Sequence, residues 1–374
     1  VVAVKVLIVS KPVVPPFHDG SKSLVLALCS AMEGGVDLSV LGAKAHPVAG
    51  AKVVGLYPSP GQSGSRFAPS LFDNAKALAY LGVERQSQVW HFVFAPNPRA
   101  AKAIRQLRRV RPRPSLQTIA SPPRDFSNID QLLFGDVVVA QSEWTRRQIL
   151  AHSERGQEVT VIYPPLRPPP QPSSEQKAEV RRRLGLRPDQ PMIVFPGDLE
   201  FGGGAERCAA IAKYLPKELN DTQVVLACRH KTAKAQSIER QLRSELRHLP
   251  ITFSGELPSL FPLLAAAEAV VFPVADLFGK VDLPISLLEA AALGVPVVVA
   301  DDGPASEVQG AVKLPIDDSA AWVSALVRLS RDEAHRTAVC DEGRAGIAER
   351  HAAPRVASRY AALYRQLARR GSHR

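Results

Sequence analysis

Glu289 is flanked by Leu288, Ala290, Ala291 and Ala292, the one acid on a mostly apolar helical stretch. Burying a carboxylate without partners is costly, and the hydroxyls of a ligand would satisfy it. Two cations, Arg229 and Lys231, follow an apolar run in Ala227-Cys228-Arg229-His230-Lys231-Thr232. At the carboxyl end of a strand they would face a bound diphosphate, although a solvated basic turn explains them as well. Two loops offer backbone to an anion. Lys11 to Lys22 contains Gly20, and Pro196 to Glu206 contains Gly202, Gly203 and Gly204. Amides at a helix start bind anions, and glycine admits a phosphate or sugar close to the main chain. The first loop reads equally as an ordinary turn with a Ser21 N-cap. The second has neither GxGxxG spacing nor a P-loop ending.

Such groups need strands to hold them, and short β-branched runs alternate with helical patterns throughout, as in parallel βαβ layers. Val4–Val9, Val89–Phe94, Leu116–Ala120 and Asp136–Ala140 are predicted strands of a first half. Pro191–Phe195, Gln223–Ala227, Ile251–Phe253, Ala269–Phe272 and Pro296–Ala300 are those of a second. Between them Tyr163 to Pro172 is too rich in proline for a helix or central strand. The pattern predicts Rossmann-like domains at 1–168 and 169–352, with a helix over 353–374 that crosses back to the first.

The chain of 374 residues is 45% hydrophobic and 22% charged, which excludes a disordered protein. Its net charge of +11 favours anionic partners. Cys29, Cys208, Cys228 and Cys340 show no metal-ligand spacing, as expected of reduced thiols in the cytoplasm. The opening Val1 to Val9 is broken by Lys5 and reads as a strand, with no signal peptide in view. No apolar run reaches the roughly 18–20 residues of a membrane span.

Glu289 with Leu293-Gly294-Val295-Pro296-Val297 resembles the donor-site signature of glycosyltransferase family four, E-x7-E followed by A-x-A-x-G-x-P-V. Phe253-Ser254-Gly255-Glu256-Leu257 and Asp301 to Val308 resemble two further stretches of that family. The first half carries looser similarities at His91-Phe92-Val93-Phe94 and Val139 to Trp144. The resemblance implies an α/β protein of the GT-B fold, two Rossmann-like domains facing each other across a cleft. It implies a retaining transferase that moves a sugar from a UDP- or GDP-sugar, the donor a co-substrate and no metal required. Glu289 would hold the ribose, Glu256 would lie where the base is read, and Arg229, Lys231, Gly20 and Gly203 would hold the diphosphate. Asp282 and Lys280 would meet the sugar or phosphate, and His91 would lie near the acceptor. Two positions depart from the pattern. The first glutamate of the signature falls at Val281, one step before Asp282, and the usual Arg and Lys after the first donor-domain strand are replaced by Asp198, Leu199 and the glycines.

These departures motivate a rival reading, a non-catalytic nucleotide-sugar-binding protein of the same fold. A nucleic-acid binder is a weaker rival, since no RRM, KH or helix-turn-helix signature accompanies the charge; nucleic acid is not expected as a partner. Pro98 to Pro114 holds Arg99, Lys102, Arg105, Arg108, Arg109, Arg111 and Arg113 without an acid. A solvated basic face explains it, and so does contact with an anionic membrane surface, with a lipid-linked acceptor at the inner face of the membrane.

Overall fold

The computed structural model describes residues 3–15, 19–58, 70–230, 232 and 234–372. The chain divides into two compact units, one of residues 1–167, 278–282 and 350–374, the other of 168–277 and 283–349. The final helix therefore belongs to the first unit. So does a five-residue segment that the sequence assigns to the second domain.

The first unit holds a parallel sheet in the order β3-β2-β1-β4-β5-β6-β7. Its strands are β1 (Val4–Val13), β2 (Val36–Gly42), β3 (Ala51–Gly55), β4 (Val89–Phe94), β5 (Ser115–Ile119), β6 (Val137–Ala140) and β7 (Glu158–Val161). The helices are α1 (Gly20–Ala31), α2 (Leu71–Val83), α3 (Pro98–Val110), α4 (Ile129–Leu132) and α5 (Glu143–His152). Successive strand side chains point to opposite faces, so β1 serves two cores. Val6 and Ile8 pack with Leu24 and Leu28 of α1, whereas Leu7 and Val9 pack with Trp90, Phe92 and the α3 residues Ala101 and Ile104. α1 starts from Asp19, whose carboxylate accepts from the Ser21 amide at 2.9 Å and from Lys11 Nζ at 2.9 Å. The cap is thus Asp19, one residue before the helix, and not Ser21.

The second unit repeats the plan with the sheet β10-β9-β8-β11-β12-β13. Its strands are β8 (Met192–Phe195), β9 (Gln223–Leu226), β10 (Ile251–Phe253), β11 (Ala269–Phe272), β12 (Val297–Ala300) and β13 (Val312–Leu314). Around them run α6 (Ser174–Arg183), α7 (Gly204–Ala212), α8 (Leu215–Glu218), α9 (Ala235–Glu245), α10 (Phe261–Ala265), α11 (Ile285–Leu293), α12 (Ser319–Arg331) and α13 (Glu333–Gly346). α14 (Ala353–Ser372) returns to the first unit, where Val356, Tyr360, Tyr364 and Leu367 join the core beside α1. The proline-rich connector is fastened there too. The Leu166 amide donates to His351 O at 2.7 Å, and His351 Nδ1 pairs with Pro164 O at 2.9 Å.

Strands β2, β3, β7 and β13 lie outside those predicted. β3, β7 and β13 are outer strands with half-exposed or exposed residues, so they lack a continuous apolar run. β2 is interrupted by Asp37 and Ser39.

Candidate functional site

Counted from its own first strand, the first unit's sheet runs 3-2-1-4-5-6-7 and the second unit's 3-2-1-4-5-6. In such sheets ligands bind outside the carboxyl ends of the strands where the order reverses. In the second unit that point lies between β8 and β11. The loop after β8 meets the loop after β11 there, since a Cβ on Gly202 would sit 2.6 Å from Val274 Cγ1 and 3.2 Å from Asp276 O. The loop after β12 closes on the same place, with Gly303 against Ala275 O.

Gly203 caps α7 in the left-handed region, φ 64°, a conformation that costs a side-chain-bearing residue roughly 1–2 kcal/mol. A Cβ added to it would meet only the guanidinium of Arg207, at 3.0 Å, and then only the far end of a flexible side chain. The amides at the start of α7 and one cation thus share this corner. Arg207 Nη1 donates to Gly202 O at 2.7 Å and Nε lies 3.5 Å from Asp317 Oδ1. Sequence reasoning passed over Arg207; its signal was a basic residue one helical turn beyond the glycine run. Arg229 follows β9, half-buried, and Glu256 follows β10, exposed. Gly203, Arg229 and Glu256 therefore follow three adjacent strands. Lys231 lies outside the described residues.

Glu289 is in the middle of α11, the helix that follows β11 on the other side of the switch point. It is half-buried. Burial alone drives its carboxyl up to about 7, because the low-dielectric surroundings disfavour the charged form. Among the described residues no hydrogen bond or ion pair satisfies it, whereas the neighbouring helix residues Leu287, Leu288, Ala290 and Ala291 are buried in the core.

The remaining candidates belong to the first unit. Asp282 is fully buried. Its carboxylate accepts from the Gln141 amide at 3.1 Å, Ser142 Oγ at 3.0 Å and Thr145 Oγ1 at 2.6 Å, and its amide donates to Ala120 O at 3.1 Å. Its oxygens are committed to fastening residues 278–282 to the ends of β5 and β6, so the expectation that they meet a donor sugar is corrected. Lys280, in the same segment, is buried. Val281 packs against Gly20: a Cβ there would be 2.8 Å from Val281 Cγ1. Gly20 is accordingly needed for this close packing.

His91 is corrected as well. It is fully buried on β4, with Nε2 2.8 Å from Thr118 Oγ1 and Nδ1 2.7 Å from the Tyr364 hydroxyl. Thr118 in turn lies 3.1 Å from the Tyr360 hydroxyl. Burial pushes the imidazole down to about 3, so it is a neutral member of a polar chain that joins α14 to the sheet. Its predicted place near an acceptor is not what its surroundings allow.

Among the described residues no group of three His, Cys, Asp or Glu side chains could hold a metal ion, and no helix is long and apolar enough to cross a membrane. All four cysteines are free and buried.

Comparison with known proteins agrees with this geometry. Residues 190–332 match the family model of the glycosyl transferases group 1. No curated protein sequence matches the chain. Among solved structures, HepE of Anabaena in complex with UDP superposes with a TM-score of 0.74 at 15% identity, over 97% of this chain and 100% of that one. The sucrose-phosphate synthase of Thermosynechococcus elongatus gives 0.71 at 18% identity, over 97% and 99%. The trehalose-6-phosphate synthase OtsA gives 0.72 at 13%, also over 97% and 99%. At these identities the likeness establishes the fold, and the family match, residues 278–282 apart, lies within the unit that carries Glu289, Arg229 and the glycine turn. Residues 190–332 are thus similar to the glycosyl transferases group 1, and the chain as a whole has the GT-B fold.

Proposed function

We propose that the protein is a retaining glycosyltransferase whose donor is a UDP- or GDP-sugar held by the second unit, and whose acceptor is a lipid-linked or cell-envelope glycan met at the cytoplasmic face of a membrane. The observation that carries the donor assignment is Glu289, a half-buried carboxyl beside the switch point that is without a partner among the described residues. Two ribose hydroxyls donating to it would supply what the fold withholds. Arg229, Arg207 and the amides at the start of α7 would neutralise the diphosphate, with Lys231 two positions beyond Arg229 in sequence. When the bond from the anomeric carbon to the leaving diphosphate breaks, charge grows on the phosphate oxygens, and preorganised cations there stabilise the transition state more than the ground state. The same cations support a reaction without a metal. HepE was solved with UDP and with UDP-glucose, which supports a uridine nucleotide as the first to try.

The test is a thermal-shift series with UDP, GDP and ADP, followed by transfer assays with the matching sugars and NMR of the product anomer. Selective stabilisation by one nucleotide, lost in Glu289→Gln, is the expected result. Indifference to all three would overturn the donor assignment. A second reading, a nucleotide-sugar binder without turnover, is favoured by the apolar Val281 at the place of an acid. Nucleotide binding with neither transfer nor hydrolysis across a panel of UDP- and GDP-sugars would establish it.

A further inference from the structure

We infer that the outer faces of α2 and α3 form a docking surface for an anionic lipid bilayer. α2 is apolar nearly all round, yet only Leu81 is fully buried. Its solvent side carries Phe72, Ala75, Ala79 and Val83, spaced by three, four and four residues, with Leu71 alongside. Leu71, Phe72 and Val83 are 82%, 68% and 71% exposed, and Val110 at the end of α3 is 75% exposed. An apolar stripe of that kind facing water normally has a partner.

The neighbouring helix α3 shows the complementary stripe, with Arg99, Lys102 and Arg109 all exposed. Arg111 Nη2 donates to Glu84 O at 2.9 Å, which ties the C-terminal ends of the two helices together. Val83, Arg85, Arg109 and Val110 thereby cluster at that end. Residues 70–113 contain nine Lys or Arg against two acids. Both acids are engaged locally, Asp73 in the capping box with Ser70, and Glu84 with the amides of Gln86 and Ser87. An apolar face beside a cationic one is the arrangement that lies in a membrane interface. A second copy of this chain is a poorer occupant, because a two-fold contact would set the cationic stripe against itself. Single-stranded nucleic acid would need open aromatic faces, whereas Lys76 Nζ covers the ring of Phe72 at 4.4 Å.

The basic run read from the sequence is thereby divided. Arg105 donates to the carbonyls of Gln131 and Leu133 at 2.9 and 3.1 Å, and Arg108 pairs with Asp136 at 2.6 Å. Those two and Arg111 hold the fold, leaving the others for lipid.

Flotation of the full chain with vesicles of phosphatidylcholine, with or without about 30% phosphatidylglycerol, tests the assignment. The protein should float with the anionic vesicles only, and salt should release it. The triple variant Arg99→Glu, Lys102→Glu, Arg109→Glu should bind about a hundredfold more weakly or worse. Phe72→Ser with Val83→Ser should lose at least about tenfold. Both sets alter exposed side chains, so melting temperature and nucleotide-induced shift should be unchanged, which keeps this result separate from the donor assignment. Equal flotation with neutral vesicles, none with either, either variant binding like the parent, or concentration-dependent dimers broken by the triple variant would each overturn it.

Discussion

If Glu289 holds the donor ribose as proposed, nucleotide binding is a proton-linked event. With the free carboxyl at about 7, most molecules carry it protonated under mildly acidic conditions. Two ribose hydroxyls donating to it favour the ionised form and should return it toward the ordinary value of about 4.3. Linkage then predicts that affinity is full above about pH 7 and falls as pH drops, by about thirtyfold between about pH 8 and about pH 5.5. At about pH 6 binding should release nearly one proton, measurable by calorimetry in buffers of different ionisation heat. Glu289→Gln should bind about tenfold more weakly at the upper pH, for loss of charge-assisted bonds, and should approach the parent at the lower one. Titration of the ligand phosphate is common to both proteins, so the difference between the two curves isolates Glu289. The same group acts on folding with a fixed sign. Its folded value is raised, so the stability it permits is complete below the unfolded value and is lost as pH rises toward about 7. Glu289→Gln should therefore stabilise the ligand-free protein by at most about 4 kcal/mol near pH 8 and by well under about 1 kcal/mol near pH 4.5. Parallel pH curves for the two proteins would refute the reasoning.

Arg229→Ala and Arg207→Ala should each lower kcat as well as donor affinity, by roughly tenfold to a hundredfold, since the charge they are proposed to meet would grow in the transition state; steady-state kinetics with a verified donor decide this. Asp282→Ala leaves three buried donors unsatisfied and should cost about 3–5 kcal/mol, seen as a lower melting temperature. His91 should stay neutral in NMR titrations down to about pH 4, and His91→Phe should lower stability without moving the pH optimum of transfer. Gly203→Ala should cost roughly 1–2 kcal/mol of backbone strain and weaken diphosphate binding, read by denaturation and by the nucleotide-induced thermal shift.

The fold was legible where burial is two-sided. β4, β8, β11 and β12 sit inside parallel sheets, covered on both faces, and apart from His91 of β4 their sequences are continuous apolar runs. Outer strands such as β3 and β7 mix charge with valine, and nothing local separates them from loops. Glu289 was legible for the same reason in reverse, as a charge among alanines. The division of the basic run was not. Arg105 and Arg109 look alike in sequence, and what separates them is the carbonyls of Gln131 and Leu133 at the end of α4, which Arg105 satisfies. Orphan carbonyls at a helix C-terminus attract cations, but their position is a tertiary fact.

Residues 278–282 show the same limit at the candidate site. Asp282 stands one step from the position where the family signature expects an acid, and by sequence it is the natural substitute. Its carboxylate answers to Ser142 and Thr145, well over a hundred positions earlier, while the adjoining Val281 answers to Gly20. Adjacent side chains thus meet different surroundings, and a carboxylate moved by one residue does not inherit its neighbour's contacts. A fully buried Asp whose carboxylate already accepts from Gln141, Ser142 and Thr145 could meet a sugar only by giving up those bonds. On the second unit Glu289 is an acid for which the described residues supply no bond, and it is the one proposed to take up ligand hydroxyls.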